Sequence, residues 1–151
     1  MKLDKPSLLD VMYVAHHMRD WDRREVFAGR FSDDPDTLAM DIMRHGHSWV
    51  VGDERAIAVV GAVEILPGGW SVLMFSTDEF PKIALSLTRF IKKRMIPLMI
   101  GWGARWAECR SVEGHDQAHG WLEVLGAKRD RDPLLNYGKN GETFFRFAWE
   151  K

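Results

Sequence analysis

Between residues 48 and 76 three apolar, β-branched runs are separated by two turn signals, and this alternation constrains the fold more than any other feature of the chain. Residues 48–52 are short and apolar, and Asp53-Glu54 follows as a turn. Residues 55–66 form a long run, Pro67-Gly68-Gly69 turns the chain again, and residues 70–76 run back. β-Branched and aromatic residues suit a pleated, half-buried surface, and Gly and Pro punctuate it. The pattern predicts an antiparallel meander of three strands.

Helical signals flank the meander. Ser7-Leu8-Leu9-Asp10 caps a first helix with Leu8, Val11, Met12, Ala15 and Met18 on its apolar side. Asp20 and Asp22 place acidic residues at the start of a short second helix. Asp34-Pro35 opens a third, with Asp as N-cap and Pro at the first helical position; Leu38, Ile42 and Met43 are expected to face inward, and Gly46 to end it. After the meander, Thr77 or Asp78 caps a long helix whose buried stripe is Ile83, Leu87, Phe90, Ile91 and Met95. Pro97 lies inside this apolar run and predicts a kink or break. Residues 105–111 read as a strand and 114–125 as a helix ended by Gly126. Asn140-Gly141 predicts a hairpin between residues 127–137 and 143–149.

The 151 residues show no repeat or long linker, so one domain over 1–151 is expected. Lys and Arg total 21 against 22 Asp and Glu, so no global charge draws the chain to nucleic acid or an anionic membrane. A single cysteine, Cys109, excludes an intrachain disulfide and fits a reducing compartment. The N-terminal stretch has no apolar signal core, and no run of about 18 apolar residues occurs, so neither secretion nor a membrane span is expected. Seven Trp, with eight Phe and eight Met, suggest a large core, an aromatic contact surface, or both.

Meander, helix, strand, helix and closing hairpin is an order that resembles the GCN5-related N-acetyltransferase (GNAT) fold. The local match is His115-x-x-Ala118-x-x-Trp121-Leu122-x-x-Leu125-Gly126-Ala127. Three segments, Phe75 to Pro81, Ala107 to Arg110 and Trp121 to Ala127, resemble small GNAT-like proteins of tailed bacteriophages, a group that includes the internal virion protein of short-tailed phages. The resemblance implies an α/β (α+β) fold: a central mixed, mostly antiparallel sheet flanked by helices and splayed between its fourth and fifth strands.

The sequence departs from the enzymes of that superfamily at two places. Their Gly-rich loop before the long helix lets backbone N–H groups approach the coenzyme A pyrophosphate. Here residues 76–82 contain no glycine, Pro81 lacks an N–H, and Asp78 and Glu79 bring carboxylates. Ser76, Thr77 and Lys82 are the candidate phosphate contacts, in competition with those acids. The Tyr that often protonates the leaving thiolate corresponds to Leu122, which transfers no proton. The Asn that helps hold the coenzyme arm corresponds to His115.

Glu64 and Glu108 are the carboxylates available as a general base, and each also reads as an outward or structural strand residue. His115 and His119 have the i, i+4 spacing of two metal ligands, but the sequence fixes no third, so no metal is assigned. Trp21, Phe27 and Trp102, with arginine neighbours, are candidate interface residues. Arg89, Lys92, Lys93 and Arg94 form a basic cluster on the long helix.

The resulting expectation is a phage GNAT-fold protein, catalytically degenerate and without cofactor, that acts through contacts with phage or host proteins in the host cytoplasm or the virion. The alternative is an acetyl-CoA-dependent N-acyltransferase with an atypical loop. A third reading is nucleic-acid binding through the basic helix.

Overall fold

A computed structural model describes residues 2–4 and 6–151. Three helices come first: α1 (Leu8–His16), α2 (Asp20–Ala28) and α3 (Pro35–Arg44). The caps are those expected: Ser7 Oγ accepts from Asp10 N–H and the Asp34 side chain from Asp36 N–H. The meander follows as β2 (His47–Gly52), β3 (Ala56–Leu66) and β4 (Gly69–Ser76), paired antiparallel throughout. An edge strand β1 (Lys2–Asp4), which no sequence signal announced, adds to β2.

The long helix comprises α4 (Ala84–Phe90), a π-helical turn (Ile91–Met95) and α5 (Ile96–Gly101). The π turn is how the chain accommodates Pro97. Proline has no N–H, and its ring collides with the carbonyl four residues back in a regular helix. The Ile96 N–H reaches back five residues to Ile91 O, and the helix continues through Pro97 instead of breaking.

Then come β5 (Trp106–Val112), α6 (Asp116–Val124), β6 (Lys128–Arg129) and β7 (Phe144–Glu150). The sheet order is β1-β2-β3-β4-β5-β7-β6, mixed and mostly antiparallel, with β4 and β5 the parallel pair. The expected hairpin between residues 127–137 and 143–149 is present, with its turn closed by Gly141 N–H donating to Gly138 O, but its first arm is irregular. Only Lys128 and Arg129 pair with β7, and the rest of the segment is a loop with an isolated bridge from Leu134 to Phe144. Positive φ at both Asn136 and Gly141 bends that loop twice.

Side chains alternate across the sheet with the period of two that strands impose. Val50, Val59 and Phe75 face α1 and α3, where Val11, Val14, Leu38 and Ile42 close one core. Val51, Ala58, Val60 and Ala62 face the long helix and α6, where Leu87, Ile91, Met95, Met99 and Leu125 close the other. Leu8 and Met43, expected inward, are exposed. Each lies at the rim of its helix stripe, past the reach of the sheet.

β4 and β5 are hydrogen-bonded only at Gly69–Trp106, Trp70–Ala107 and Ser71–Glu108; beyond Ser71 they diverge. Gly69 is required here. A Cβ on it would lie 2.2 Å from Trp106 Cζ2, inside the rigid indole that covers the short pairing. Gly69→Ala is therefore expected to destabilise the protein by about 2 kcal/mol, at the cost typical of overpacking, as read by urea denaturation. Gly101→Ala, whose Cβ would meet nothing within 4 Å and whose φ, like that of Gly69, is not positive, is the control.

Candidate functional site

The divergence of β4 and β5 opens a cavity of about 420 Å³, lined by both strands, the long helix, α6 and α2. Helix α2 lies across its wide end. On one helical face it presents Arg19, Asp22, Glu25, Val26 and Gly29 to the cavity, the three- and four-residue spacing of helix neighbours.

Two carboxylates of α2 bind the two separated strands. Asp22 Oδ2 accepts from the Ser76 N–H of β4 at 2.8 Å. Glu25 Oε1 accepts from the Val112 N–H of β5 at 2.9 Å and from the Ser111 hydroxyl. Asp22 is also paired with Arg19, at 2.9 Å, and with His115 Nε2, at 3.0 Å, all three lying within one small polar cluster. Burial alone would raise the Asp22 carboxyl, but the hydrogen bond from His115, the charge and hydrogen bonds of Arg19 and the Ser76 amide outweigh it and hold it below its ordinary value. Asp22 is thus an ionised acceptor, so His115 carries its proton on Nε2. Its Nδ1 is buried without a hydrogen-bond partner, and Trp21 stacks on its ring at 5.6 Å. Glu25 is shifted the other way: burial pushes its carboxyl up, and Ser111, His115 and Val112 offset this only in part.

Glu108 lines the cavity but is neutralised. It is buried, with Arg146 on one oxygen and Arg110 at 3.1 Å on the other. Burial, with Glu25 and Glu108 nearby, pushes the Cys109 thiol up to about 12, so it offers no thiolate at neutral pH. Glu64 is remote from this cavity. It is exposed at the end of β3 and accepts from the Gly68 N–H at 3.1 Å, closing the β3–β4 turn.

The segment between β4 and the long helix binds itself. Ser76 N–H donates to Asp22, Thr77 N–H to Ile57 O, Glu79 N–H to Thr77 Oγ1, Phe80 N–H to Thr77 O and Lys82 N–H to Glu79 O. Pro81 has no N–H, which leaves Asp78 alone in residues 76–82 with an uncommitted amide. Ser76 and Thr77 are buried, and the Lys82 ammonium is paired with Glu79 at 2.8 Å. The donors of residues 76–82 are largely engaged within the protein, and the added local charge is a balanced pair plus the exposed Asp78.

Across the cavity, Trp121 of α6 donates its indole N–H to Thr88 Oγ1 of α4 at 2.9 Å and packs edge-on against Phe80 at 5.6 Å. It bridges the two helices that flank the opening. Leu122 lines the cavity beside it, with no proton to give. Among the described residues no three metal-ligating side chains converge.

The candidate interface residues separate. Phe27 is buried in the core with α1 and α3, which corrects its assignment to a contact surface. Trp21 and Trp102 are partly exposed. The sequence reading missed Asp22 and Glu25 as cavity residues. Their shared face with Arg19 on a short helix was the available signal, obscured because an acid in a first turn already has a local role.

Neither protein-family models nor curated proteins yield a match. Solved structures do. A ribosomal-protein-alanine N-acetyltransferase from Brucella melitensis superposes with a TM-score of 0.75 at 7% identity, over 100% of both chains. A spermidine N-acetyltransferase variant from Vibrio cholerae gives 0.71 at 14% identity, over 99% of this chain and 95% of that one. A GNAT-family acetyltransferase from Bacillus anthracis gives 0.65 at 11% identity, over 98% and 93%. The fold is that of the GNAT acetyltransferases, as the element order implied.

The opposite shifts of the two α2 carboxylates separate their effects on stability. Asp22, held low, contributes stability that is present above the ordinary carboxyl range and lost as pH falls through its folded value. Glu25, held high, costs stability as pH rises from the ordinary value through its folded one. Asp22→Ala strands Arg19 and His115 and is expected to cost about 3 kcal/mol or more at pH 7. Glu25→Gln keeps an acceptor for the Val112 amide and is expected to stabilise the protein at pH 7, an advantage that disappears at pH 4. Denaturant titrations across that range measure both.

Proposed function

We propose that this chain is a single GNAT-like domain of a tailed phage that has given up acetyl-CoA chemistry and acts through protein contacts, as an internal or other virion component made in the host cytoplasm. The observation that carries the loss of chemistry is the self-bonded segment 76–82: five of its amides already have acceptors inside the protein. The replacement of an acidic side chain by Leu122 supports the same reading. The phage and virion assignments rest on the resemblance of residues 75–81, 107–110 and 121–127.

Trp21 is the anchor this reading offers to a partner. Its indole covers Gly114 and His115, Arg24 lies over it at 5.1 Å, and part of it is exposed beside a cationic neighbour. Trp and Arg are the residues that most often dominate interfaces.

A second reading is favoured by one observation: the cavity is present, and Glu25 in it has a carboxyl raised toward the range of a general base. On that reading the chain is an N-acyltransferase that holds acetyl-CoA by an atypical loop.

Calorimetry decides between them. Ordinary micromolar binding corresponds to about 8 kcal/mol, and loss of two or three charge-assisted hydrogen bonds moves it toward millimolar. No heat is expected with acetyl-CoA at about 100 μM. Micromolar binding, with amine-dependent release of free thiol, would establish the enzyme instead. Mass spectrometry of purified particles tests the virion assignment. In a particle-assembly assay Trp21→Ala should weaken incorporation by roughly 2 kcal/mol while the isolated protein still folds.

A further inference from the structure

The long helix carries a surface that neither its packing nor the cavity explains. From residue 80 to residue 107 the chain holds no Asp or Glu, although the whole chain has net charge -1. Leu87, Ile91, Met95 and Met99 recur every four residues and are buried. Two residues before each of the first three, Leu85, Arg89 and Lys93 recur at the same interval and are exposed, as are Lys92 and Arg94. Among the described residues, Arg89, Lys92, Lys93 and Arg94 make no ion pair, in contrast to Lys82, which is bound to Glu79. Four unpaired cations on one rod form a local positive field in a chain whose remaining charges are net acidic.

Apolar groups stand among these cations. Leu85 is 66% exposed, Leu98 43%, Ile100 40% and Trp102 40%. Arg94, Pro97, Leu98, Gly101 and Trp102 line a shallow hollow at the end of the rod. A partner that rewards both features must offer negative charge in a layer over an apolar interior.

We infer that this face of the long helix docks on an anionic lipid membrane. Lys and Arg near the surface of such a leaflet are drawn to its headgroups while their stems lie along apolar material. Exposed Leu and Ile enter the acyl boundary, and Trp belongs at the headgroup level. Nucleic acid would attract the same cations but gives no return for three exposed aliphatic side chains. Trp102 also argues for lipid over a single strand. Its ring already stacks on His47 at 4.1 Å and lies parallel to Trp49 at 6.4 Å, so a ring face needed for base stacking is committed within the protein.

The test is flotation of the whole chain with vesicles of phosphatidylcholine, with and without phosphatidylserine, at low and high salt. Binding is expected to the anionic vesicles and to fall steeply with salt. One charge near such a surface contributes roughly a factor of five, so Lys92→Gln with Lys93→Gln should lower the partition coefficient about 25-fold. Arg89→Gln with Arg94→Gln should do the same, and this second pair settles the matter if the first is misfolded. Leu85→Gln should lower it several-fold and leave the salt dependence unchanged. Absence of flotation overturns the inference. So does equal binding to neutral vesicles, or binding that neither charge pair weakens. Retardation of a single-stranded oligonucleotide by a protein that floats with no vesicle would assign the face to nucleic acid.

Discussion

The structure turns on the parting of β4 and β5. Two neighbouring parallel strands that separate after three residue pairs leave amides with no strand to receive them. A buried N–H without an acceptor is costly enough that native chains seldom leave one. In this chain α2 supplies the missing acceptors, Asp22 for the end of β4 and Glu25 for the end of β5. The gap and the helix therefore define each other: α2 has its position because the amides need acceptors, and the strands stay apart because those acceptors lie between them. The Asp22 charge that this imports is balanced nearby by Arg19 and His115, and Glu108 of β5, which also lines the cavity, is paired with Arg146 and Arg110.

Much of the framework is written in local signals, because local signals have local causes. Ser7 and Asp34 cap helices by bonds to residues two or three positions away. The turns at Asp53 and Pro67 join strands adjacent in both sequence and space. What the sequence conceals is set by distant partners. Asp22 lies in the first turn of α2, where any acid gains from the helix dipole, yet its partners Ser76 and His115 are 54 and 93 positions away. Phe27 looks like a contact aromatic until α1 and α3 fold over it. Asn140-Gly141 signals the turn, where Tyr137 and Gly138 N–H donate to the Glu142 carbonyl, but the irregular arm before it, bridged to β7 only at Leu134 and at β6, was not legible.

The candidate coenzyme residues follow the same rule. Glycine loss and the acids at 78 and 79 were legible as a change in composition. The fate of the amides was not, since it depends on Ile57 from β3 and Asp22 from α2 meeting the segment in space. Composition shows that glycines are missing from this segment, and the geometry shows which partners engage most of its amides. Ser76, Thr77 and His115, offered as ligand contacts, are instead tied into or packed beside the cluster that holds the strands apart.

A fold that keeps donors free for a ligand is left with unsatisfied groups when the ligand is absent, and part of its stability is then borrowed from binding. In this chain most amides of residues 76–82 have acceptors inside the protein. Thr77 N–H, Phe80 N–H and Lys82 N–H all end on carbonyls of the chain itself, and Trp121 joins α4 to α6 across the opening. A phosphate contact to any of these three amides would first have to break an internal bond of comparable strength. The splayed sheet needs something to satisfy its parted strands, and in this protein the carboxylates of its own second helix meet that need.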